Sequence, residues 1–359
     1  MPILNKSSEE LSLEEKYKLV AATIRAYPLQ LKQAWEEIDT LYIPDAYKNV
    51  DNVVVSGMGG SALGARIIDS YIVDKIRLPI EIYTEYHLPN YVSNNTLVIS
   101  YSYSGNTEET INATFEAIKR KAKVFCITTG GKLAELSQKE KIPAYVFNPI
   151  NNPSKEPRMS LGYSIGSYFS LFHKLGFISI DRETIDEAIN SMYEFLTEFT
   201  ENIENDKNLP YKYATLFKNY IPVIIASEHL YGIAHAIKNQ INENAKTFAV
   251  LFDIPELNHH LLEGLKNPIK IKKDLKFLFF NSNFYSEKIQ KRYRITSEVV
   301  QKNGYDYLIY NPRSETKLKQ LFEVFILGSF VSYYLAKFYN EDPLKIPWVD
   351  FFKDKLAKK

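Results

Sequence analysis

The sequence has almost none of the features that mark secreted, nucleic-acid-binding or membrane proteins. It contains one cysteine among 359 residues, Cys126, so no disulfide can form within the chain. Its 44 Lys and Arg residues balance 43 Asp and Glu residues, and no charge excess favours nucleic acid or an anionic membrane as a partner. We therefore expect a reducing, cytoplasmic setting, with Cys126 as a buried thiol on a strand.

Segments that would direct the chain to a membrane or across one are also missing. No basic and then apolar leader precedes Leu11, which predicts that there is no secretory signal. The most apolar run, Val324 to Ala336, is shorter than the roughly 17–25 residues of a spanning helix, and it predicts a buried helix. The chain is long enough for two domains at roughly 100–200 residues each.

The sequence does have a regular alternation of short apolar runs with amphipathic stretches. This alternation predicts an α/β fold of two doubly wound parallel sheets, each flanked by helices, with domains at 1–178 and 179–359. Leu13–Ile38 is expected to form a helical arm, broken at Pro28, on the outside of the first domain. The strand-like runs are Val53–Val55, Ile80–Tyr83, Thr96–Ile99, Lys123–Thr128 and Ala144–Phe147, then Pro222–Ala226, Thr247–Phe252, Phe277–Phe280 and Tyr307–Tyr310.

One stretch combines hydroxyl groups, a glycine and a helix start directly after a buried strand. It is Ser102-Tyr103-Ser104-Gly105-Asn106-Thr107, and an amphipathic helix follows. Such a turn aims backbone N–H groups and side-chain hydroxyls at one point above the sheet, where a phosphate fits. We expect Asn106 to cap the helix, which leaves Ser102, Ser104 and Thr107 to donate to a dianion. A serine-rich capped turn without a ligand uses the same residue types and is the alternative.

A glycine-rich turn follows another strand of the same half. Val53–Val55 leads into Gly57-Met58-Gly59-Gly60-Ser61, where glycine permits positive φ and a close approach of the backbone to a ligand. No Gly-Lys-Ser or Gly-Lys-Thr follows, and the spacing of the dinucleotide fingerprint is absent. Open parallel sheets bind ligands beyond the carboxyl ends of their strands, so the two turns predict a single crevice.

The two turns closely resemble the phosphosugar loops of sugar isomerase (SIS) domains, and later segments extend the resemblance over nearly the whole chain. Those segments are Asn242-Glu243-Asn244-Ala245-Lys246, Glu256-Leu257-Asn258-His259-His260 and Phe351-Phe352-Lys353. Taken together, the motifs resemble the bifunctional phosphoglucose/phosphomannose isomerase family, whose fold is a pair of SIS domains. The sequence departs from the family at His260, where asparagine is usual, which affects a hydrogen bond near the site.

The resemblance implies a role for each matching residue. Glu243 would move the proton between C1 and C2, His259 would open the sugar ring, and Arg158 would stabilise the enediolate. Lys353 is implied as a further active-site residue. Judged without the resemblance, Glu243 and Arg158 would both be solvated surface charges. The implied phosphate ligands are Gly59, Gly60, Ser61, Ser102, Ser104 and Thr107.

The resemblance also implies an activity and a partner. The reaction is the interconversion of glucose 6-phosphate, and of mannose 6-phosphate, with fructose 6-phosphate through a cis-enediol, without a cofactor. No metal is expected, because the side chains of neighbours such as His259 and His260 point in different directions and no cysteine or further histidine completes a site. In the family the ring-opening histidine comes from the partner chain, which predicts a homodimer with His259 acting in trans.

Two other functions use part of the same pattern. A non-catalytic sugar-phosphate sensor would keep the serine loops and lose the base, and the presence of Glu243 and His259 argues against it. An isomerase that also transfers amide nitrogen needs an N-terminal nucleophilic cysteine, and position 2 is Pro2. The turns of the second half, Ser227-Glu228-His229 and Asn281-Ser282-Asn283, lack the glycine and hydroxyl chemistry, so phosphate is expected in the first half alone.

Overall fold

The computed structural model describes residues 10–357, and within this range strands and helices alternate along most of the chain. The strands are β1 (Asn52–Ser56), β2 (Ile80–Tyr83), β3 (Thr96–Tyr101), β4 (Lys123–Thr128), β5 (Ala144–Val146), β6 (Ile221–Ala226), β7 (Val250–Asp253), β8 (Leu275–Phe280) and β9 (Asp306–Tyr310). The helices are α1 (Leu13–Arg25), α2 (Tyr27–Thr40), α3 (Gly60–Ile72), α4 (Glu108–Lys119), α5 (Gly131–Lys139), α6 (Leu161–Lys174), α7 (Arg182–Phe199), α8 (Leu209–Phe217), α9 (Tyr231–Asn244), α10 (Leu261–Gly264), α11 (Glu287–Lys302), α12 (Lys317–Tyr339) and α13 (Pro347–Ala357).

Contacts between residues divide the chain into two compact units. The N-terminal unit comprises Ala26–Tyr193 and His229–Ile233, and the C-terminal unit comprises the described residues up to Arg25, Glu194–Glu228 and the described residues from Ala234 on. The division into domains 1–178 and 179–359 stays a prediction, and these units group the first helix and the residues after 178 differently.

The N-terminal unit is built on five parallel strands in the order β2-β1-β3-β4-β5. The chain adds β2 on one side of β1 and the remaining strands on the other, so the order reverses between β1 and β3. The central strand β3 is buried along its whole length, which explains its continuous apolar run. The buried thiol of Cys126 lies on the next strand, β4, as predicted, and burial raises its pKa to about 12.

The C-terminal unit repeats this arrangement with four parallel strands in the order β7-β6-β8-β9. The predicted α/β fold with two parallel sheets is therefore confirmed. The seventh strand begins at Val250, three residues later than predicted, because Thr247 to Ala249 form the connection from α9.

The two faces of the C-terminal sheet carry different helices. Leu278 on β8 lines a small apolar void together with Ile237 of α9 and Leu327 of α12. The next residue of β8, Phe279, points to the other face, where its ring centroid lies 6.0 Å from that of Tyr293 on α11. Helices α9 and α12 therefore cover one face of this sheet, and α11 covers the other.

The packing predicted for the helical arm was wrong for its first helix. The arm breaks at Ala26, and Pro28 lies in the first turn of α2, where proline is tolerated. Helix α1 belongs to the C-terminal unit and packs on α12, with the Tyr17 hydroxyl donating to the Glu341 carbonyl at 2.9 Å. Helix α2 packs against α6 in the N-terminal unit.

The apolar run near the C-terminus forms part of a longer helix than predicted. Helix α12 has 23 residues, and among the described residues it is the one helix long and apolar enough to cross a membrane. The unit buries 89% of its most apolar window, as expected for a core helix. Its Glu323 is also buried and accepts the Tyr310 hydroxyl proton at 2.6 Å.

Candidate active site

The two predicted phosphate loops lie next to each other at the carboxyl edge of the N-terminal sheet. Strands β1 and β3 are hydrogen-bonded neighbours, with Ser56 opposite Ser100 at their ends, and α3 and α4 begin a few residues later. Gly59, the N-cap of α3, has φ of 50° and no side chain to cap with, and the Thr107 side chain makes no capping bond to α4 among the described atoms. Two helix N-termini without a side-chain cap thus converge at the switch point, although the Ser61 and Ala62 N–H groups of α3 donate to the Met58 and Gly59 carbonyls. Helix N-termini at such a point favour anions.

The serine loop carries hydroxyl groups at two depths. Ser102 is fully buried, and its hydroxyl lies 2.8 Å from the Thr107 hydroxyl. Ser104 is exposed at the tip, and Thr107 is half-buried at the start of α4. The buried hydroxyl therefore supports Thr107 from behind, while Thr107 and Ser104 lie closer to solvent.

Asn106 does not cap α4 as predicted. The N-cap of α4 is Thr107, and the Asn106 side chain instead accepts a hydrogen bond from the Lys132 N–H at 3.3 Å, in the first turn of α5. Its amide also donates to the Ser104 carbonyl at 3.1 Å. The asparagine thus joins the serine loop to the neighbouring helix, a partner that local sequence does not specify.

The glycine loop contacts both the serine loop and the segment that carries Arg158. The Tyr103 N–H donates to the Ser61 hydroxyl oxygen at 3.2 Å. A Cβ atom on Gly60 would lie 3.2 Å from the Arg158 Cα, so a larger residue there would crowd the Arg158 backbone. The fold therefore brings Ser61, the serine loop and Arg158 together within the N-terminal unit.

Arg158 is not the solvated surface cation that its sequence context alone suggests. It is 5% exposed, and its guanidinium bonds the Glu156 carboxylate at 2.7 Å. The segment before it is held to the serine loop, because the Asn152 amide donates to the Tyr103 hydroxyl at 3.0 Å. A buried, paired guanidinium has a fixed direction, which suits stabilisation of a developing negative charge.

Glu243 lies in the last turn of α9, in the C-terminal unit, and is half-buried. Its neighbours fix the helix end. The Asn242 side chain accepts from the Ala249 N–H at 2.8 Å, directly before β7, and buried Asn244 bonds the Ser332 hydroxyl of α12 at 3.3 Å. Glu243 is therefore at the amino edge of the C-terminal sheet, on the face that α9 and α12 cover.

His259 is exposed in a short helical turn after β7, also in the C-terminal unit. The preceding residue, Asn258, ties this turn to α11, because its amide donates to the Thr296 hydroxyl at 2.7 Å and its carbonyl accepts from Arg292 at 3.1 Å. His260 lies beside Phe252, with ring centroids 6.1 Å apart.

The C-terminal sheet separates Glu243 from His259 within one chain. Glu243 belongs to α9, which packs on one face, and His259 follows Asn258, which is bound to α11 on the other face. Right-handed connections between parallel strands produce the same arrangement. The chain passes from β6 to β7 in one direction across the sheet and from β8 to β9 in the other, so the connecting helices α9 and α11 lie on opposite faces. The fold therefore does not bring these two predicted catalytic residues together in one chain.

Lys353 lies on the exposed C-terminal helix α13. The segment before α13 contacts the end of α9, near Glu243. The Asp342 carbonyl, a few residues before α13, accepts a hydrogen bond from the Lys246 ammonium at the end of α9. The Asp342 carboxylate pairs with Lys16 at 2.6 Å, and this pairing keeps the pKa of Asp342 below its ordinary value although burial opposes the effect. The base of α13 is thus fixed beside the helix that carries Glu243.

Comparison with known proteins identifies the family. Residues 206–356 match the family described as the bacterial phospho-glucose isomerase C-terminal SIS domain. The bifunctional phosphoglucose/phosphomannose isomerase of Caldicellulosiruptor bescii is 34% identical over 92% of this chain and 97% of that protein. The chain belongs to the bifunctional phosphoglucose/phosphomannose isomerase family. The family member of Thermoplasma volcanium is 32% identical over 86% of this chain and 92% of its own length.

Solved structures share the fold of this family member at low sequence identity. A hypothetical protein of Thermus thermophilus aligns with a TM-score of 0.72 at 16% identity, over 96% of this chain and 94% of that one. The C-terminal domain of glucosamine-fructose-6-phosphate aminotransferase from Francisella tularensis aligns with a TM-score of 0.63 at 12% identity, over 93% and 98%.

Two residues near the family's motifs have roles in the structure that the sequence patterns did not indicate. Glu156 pairs with Arg158, and Asn258 anchors the turn that carries His259. The sequence shows that Glu156 precedes Arg158 by two residues and that Asn258 precedes His259 by one, but it does not show which side chains they contact. Within residues 10–357, no three His, Cys, Asp or Glu side chains form a group that could hold a metal ion, and independence from metal stays a prediction.

Proposed function

We infer that the protein is an aldose–ketose isomerase that interconverts glucose 6-phosphate, and mannose 6-phosphate, with fructose 6-phosphate through a cis-enediol. The observation that supports this most is the meeting of two helix N-termini, a cluster of hydroxyls and buried Arg158 at one switch point. That combination fits a sugar phosphate, and the relatives that resemble the chain over most of its length are named for this activity.

The phosphate is assigned to the N-terminal unit. Its oxygens would accept from hydroxyls of the two loops and from N–H groups at the starts of α3 and α4, and hydrogen bonds that involve a charged group each contribute about 1.5–3 kcal/mol. Binding at the phosphate, remote from the reacting carbons, then holds C1 and C2 in place for proton transfer. The residues assigned to this role are Gly59, Gly60, Ser61, Ser102, Ser104 and Thr107.

The chemistry needs one acid/base at the ring oxygen and another at C1 and C2. We assign ring opening to His259, the proton transfer between C1 and C2 to Glu243, and charge stabilisation of the enediolate to Arg158 with Lys353 nearby. Glucose and mannose 6-phosphates differ only at C2, which is planar in the enediol, so a base that reaches either face of this carbon handles both.

The separation of Glu243 and His259 by a sheet supports a homodimer. The ring oxygen is bonded to C1, so both groups must come within hydrogen-bond reach of neighbouring atoms of one sugar. One chain offers its Glu243 on one face of the sheet and its His259 on the other. A second copy that supplies His259 in trans meets this requirement, and two-fold dimers are the commonest oligomers.

The remaining assignments follow from the proposed activity. The domain 1–178 would hold the phosphate, and the domain 179–359 would carry Glu243 and His259. A substrate of this kind places the enzyme in the cytoplasm, in glycolysis and gluconeogenesis. No nucleic acid and no membrane enters the scheme, and no cofactor is required.

A coupled assay for fructose 6-phosphate formation from each of the two aldose phosphates tests the activity. We expect turnover of both substrates, with and without prior treatment with EDTA, because Arg158 offsets the charge of the enediolate without a metal. Tight binding of either sugar phosphate without any turnover would instead identify a non-catalytic sensor. Activity lost to EDTA and restored by zinc would contradict the metal-free mechanism.

Mixing two inactive variants tests the trans arrangement. Glu243→Gln and His259→Ala proteins are each expected to be inactive, but a mixed dimer would hold one site in which both groups are wild-type. After random exchange of subunits, roughly a quarter of wild-type activity should return. A mixture that exchanges subunits, as tagged chains would report, yet stays inactive would place His259 in the site of its own chain.

A further inference from the structure

The segment that carries Arg158 lies in the N-terminal unit and has little regular structure. From residue 147, after β5, to residue 156 it forms turns without a helix or strand, and Arg158 follows in a single 3-10 turn, Pro157–Met159. Lys155 has a positive φ of 60°, a conformation that few non-glycine residues adopt. The hydrogen bonds of a helix or a sheet therefore do not fix this segment, and its shape depends on side-chain contacts.

Asn152, a buried residue in the middle of the segment, makes three of these contacts with its side chain. It is 3% exposed. Its amide donates to the Tyr103 hydroxyl and to the Glu156 carbonyl, each at 3.0 Å. Its side-chain carbonyl accepts from the Ser154 hydroxyl at 2.8 Å. Both the donor and the acceptor side of the Asn152 amide are thus used, which fixes its orientation.

Glu156 continues the chain of contacts from Asn152 to the guanidinium. Its carbonyl is held by Asn152, and its N–H donates to the Ser154 hydroxyl oxygen at 3.4 Å. Its carboxylate accepts from the Arg158 guanidinium at 2.7 Å. A continuous series of hydrogen bonds therefore leads from the Tyr103 hydroxyl, in the serine loop, to Arg158.

The serine loop itself is held from other directions. The Tyr103 N–H donates to the Ser61 hydroxyl oxygen of α3 at 3.2 Å. The Tyr103 carbonyl accepts from the N–H of Thr129 at 3.0 Å and from its hydroxyl at 2.7 Å, directly after β4. These bonds do not involve Asn152, so its loss should displace the Arg158 segment and leave the serine loop in place.

We propose that Asn152 is a positioning residue for the isomerisation, which joins the Arg158 segment to the serine loop through the Tyr103 hydroxyl and so holds the guanidinium at a fixed distance from the bound phosphate. The phosphate determines where C1 and C2 of the sugar lie, and stabilisation of the enediolate depends on the position of the guanidinium relative to these atoms. The proposal rests on the proposed function, which assigns the phosphate to the serine loop and the enediolate to Arg158.

Steady-state kinetics of two variants of the full chain test the positioning. Tyr103→Phe removes one oxygen and should lower kcat by about 2- to 10-fold, the effect of one net hydrogen bond. Asn152→Ala removes all three side-chain contacts and should lower kcat by about 100-fold, as expected for a displacement near 1 Å. The inhibition constant of inorganic phosphate should stay unchanged in both. A weaker phosphate affinity with a wild-type kcat would overturn the proposal, and Tyr103→Phe alone decides if Asn152→Ala does not fold.

The C-terminal unit offers a matched control for a merely structural effect. There the amide of buried Asn208 donates to the Tyr334 hydroxyl at 2.9 Å, so Tyr334→Phe removes the same atom from the same kind of buried pair. Urea denaturation should show a similar loss of stability in Tyr334→Phe and Tyr103→Phe. Only Tyr103→Phe should lower kcat, and an equal loss of kcat in both variants would overturn the proposal.

Binding of a charged analogue provides a readout besides turnover. A sugar-acid phosphate carries a carboxylate near the position of the enediolate oxygens and keeps the phosphate group. Its inhibition constant should rise in Asn152→Ala by about the factor lost in kcat/KM, as for an analogue of the transition state. An unchanged inhibition constant would mean that Asn152 does not act on Arg158.

A crystal structure of Asn152→Ala separates this proposal from the proposed function. A displaced Arg158 guanidinium beside an unmoved serine loop would support the positioning. An unmoved guanidinium would refute the positioning, and isomerisation by the wild type would leave the function standing. A wild type without isomerase activity would refute the proposed function, and the structure would then still decide whether Asn152 positions Arg158.

Discussion

The two sheets have the same strand order around their switch points, but the two switch points differ in what occupies them. In the N-terminal unit, α3 and α4 begin after glycine and serine loops, and neither N-cap side chain bonds its helix. In the C-terminal unit, the Glu228 carboxylate accepts from the Ser286 N–H at 3.1 Å and from the Ser286 hydroxyl at 2.8 Å, at the start of α11. The protein's own carboxylate thus takes the place that a phosphate would take in the first sheet.

The same sheet topology therefore does not give two equivalent anion sites. Glu228 itself has a positive φ of 44°, a conformation that few non-glycine residues adopt and that the surrounding contacts must hold. Glu228 bonds the N-cap residue of α11 and places a negative charge at that helix start, which disfavours a second anion there. Glu243 and His259, the residues of the C-terminal unit that we propose for catalysis, lie away from its own switch point.

The largest expected effect comes from Glu243, to which the proposed mechanism assigns the proton transfer between C1 and C2. Glu243→Gln should lower kcat by about 10²–10⁴-fold, the loss typical of a missing acid/base, with little change in substrate binding. Glu228→Gln, a glutamate change in the same unit, is the matched control and should keep kcat. Continued deuterium exchange at C2 of the substrate in Glu243→Gln would show that another group is the base.

An intermediate effect is expected when the serine loop, at the switch point of the N-terminal sheet, loses its hydroxyls. Ser104→Ala combined with Thr107→Ala should raise KM by about 10- to 100-fold for each charge-assisted hydrogen bond lost. Initial-rate kinetics with glucose 6-phosphate measure the change. Ser286→Ala, at the corresponding helix start of the second sheet, should leave KM unchanged, and an unaltered KM in the double variant would remove the phosphate from the serine loop.

The smallest effect is expected at the switch point of the C-terminal sheet, where only the free energy of unfolding should change. Glu228→Ala removes the acceptor for the N–H and the hydroxyl of Ser286, the N-cap of α11, a loss comparable to that of a helix cap, about 1–2 kcal/mol of unfolding free energy. Urea denaturation of the variant measures it as a lower midpoint with an unchanged slope. Steady-state kinetics should match the wild type, whereas a change in KM would mean that this switch point also takes part in substrate binding.

Much of the fold could be predicted because it depends on local patterns. Buried parallel strands require continuous apolar runs, and all nine predicted runs form strands with ends shifted by a few residues. The placement of the glycine and serine loops side by side was also predictable, since parallel strands end at the same edge of a sheet. The packing of α1 on α12 was not, since the partner of an amphipathic helix is chosen by surfaces distant in sequence.

The sequence by itself determined the α/β class, the candidate residues and the family, because each depends on residue types at short, ordered spacings. Tertiary structure alone decided that Arg158 is buried against Glu156, that Asn106 serves α5 instead of α4, and that a sheet lies between Glu243 and His259. These outcomes depend on which side chains from separate elements meet, and on which face of a sheet each connection packs. Local sequence constrains neither, because the partners are supplied by elements folded from other parts of the chain.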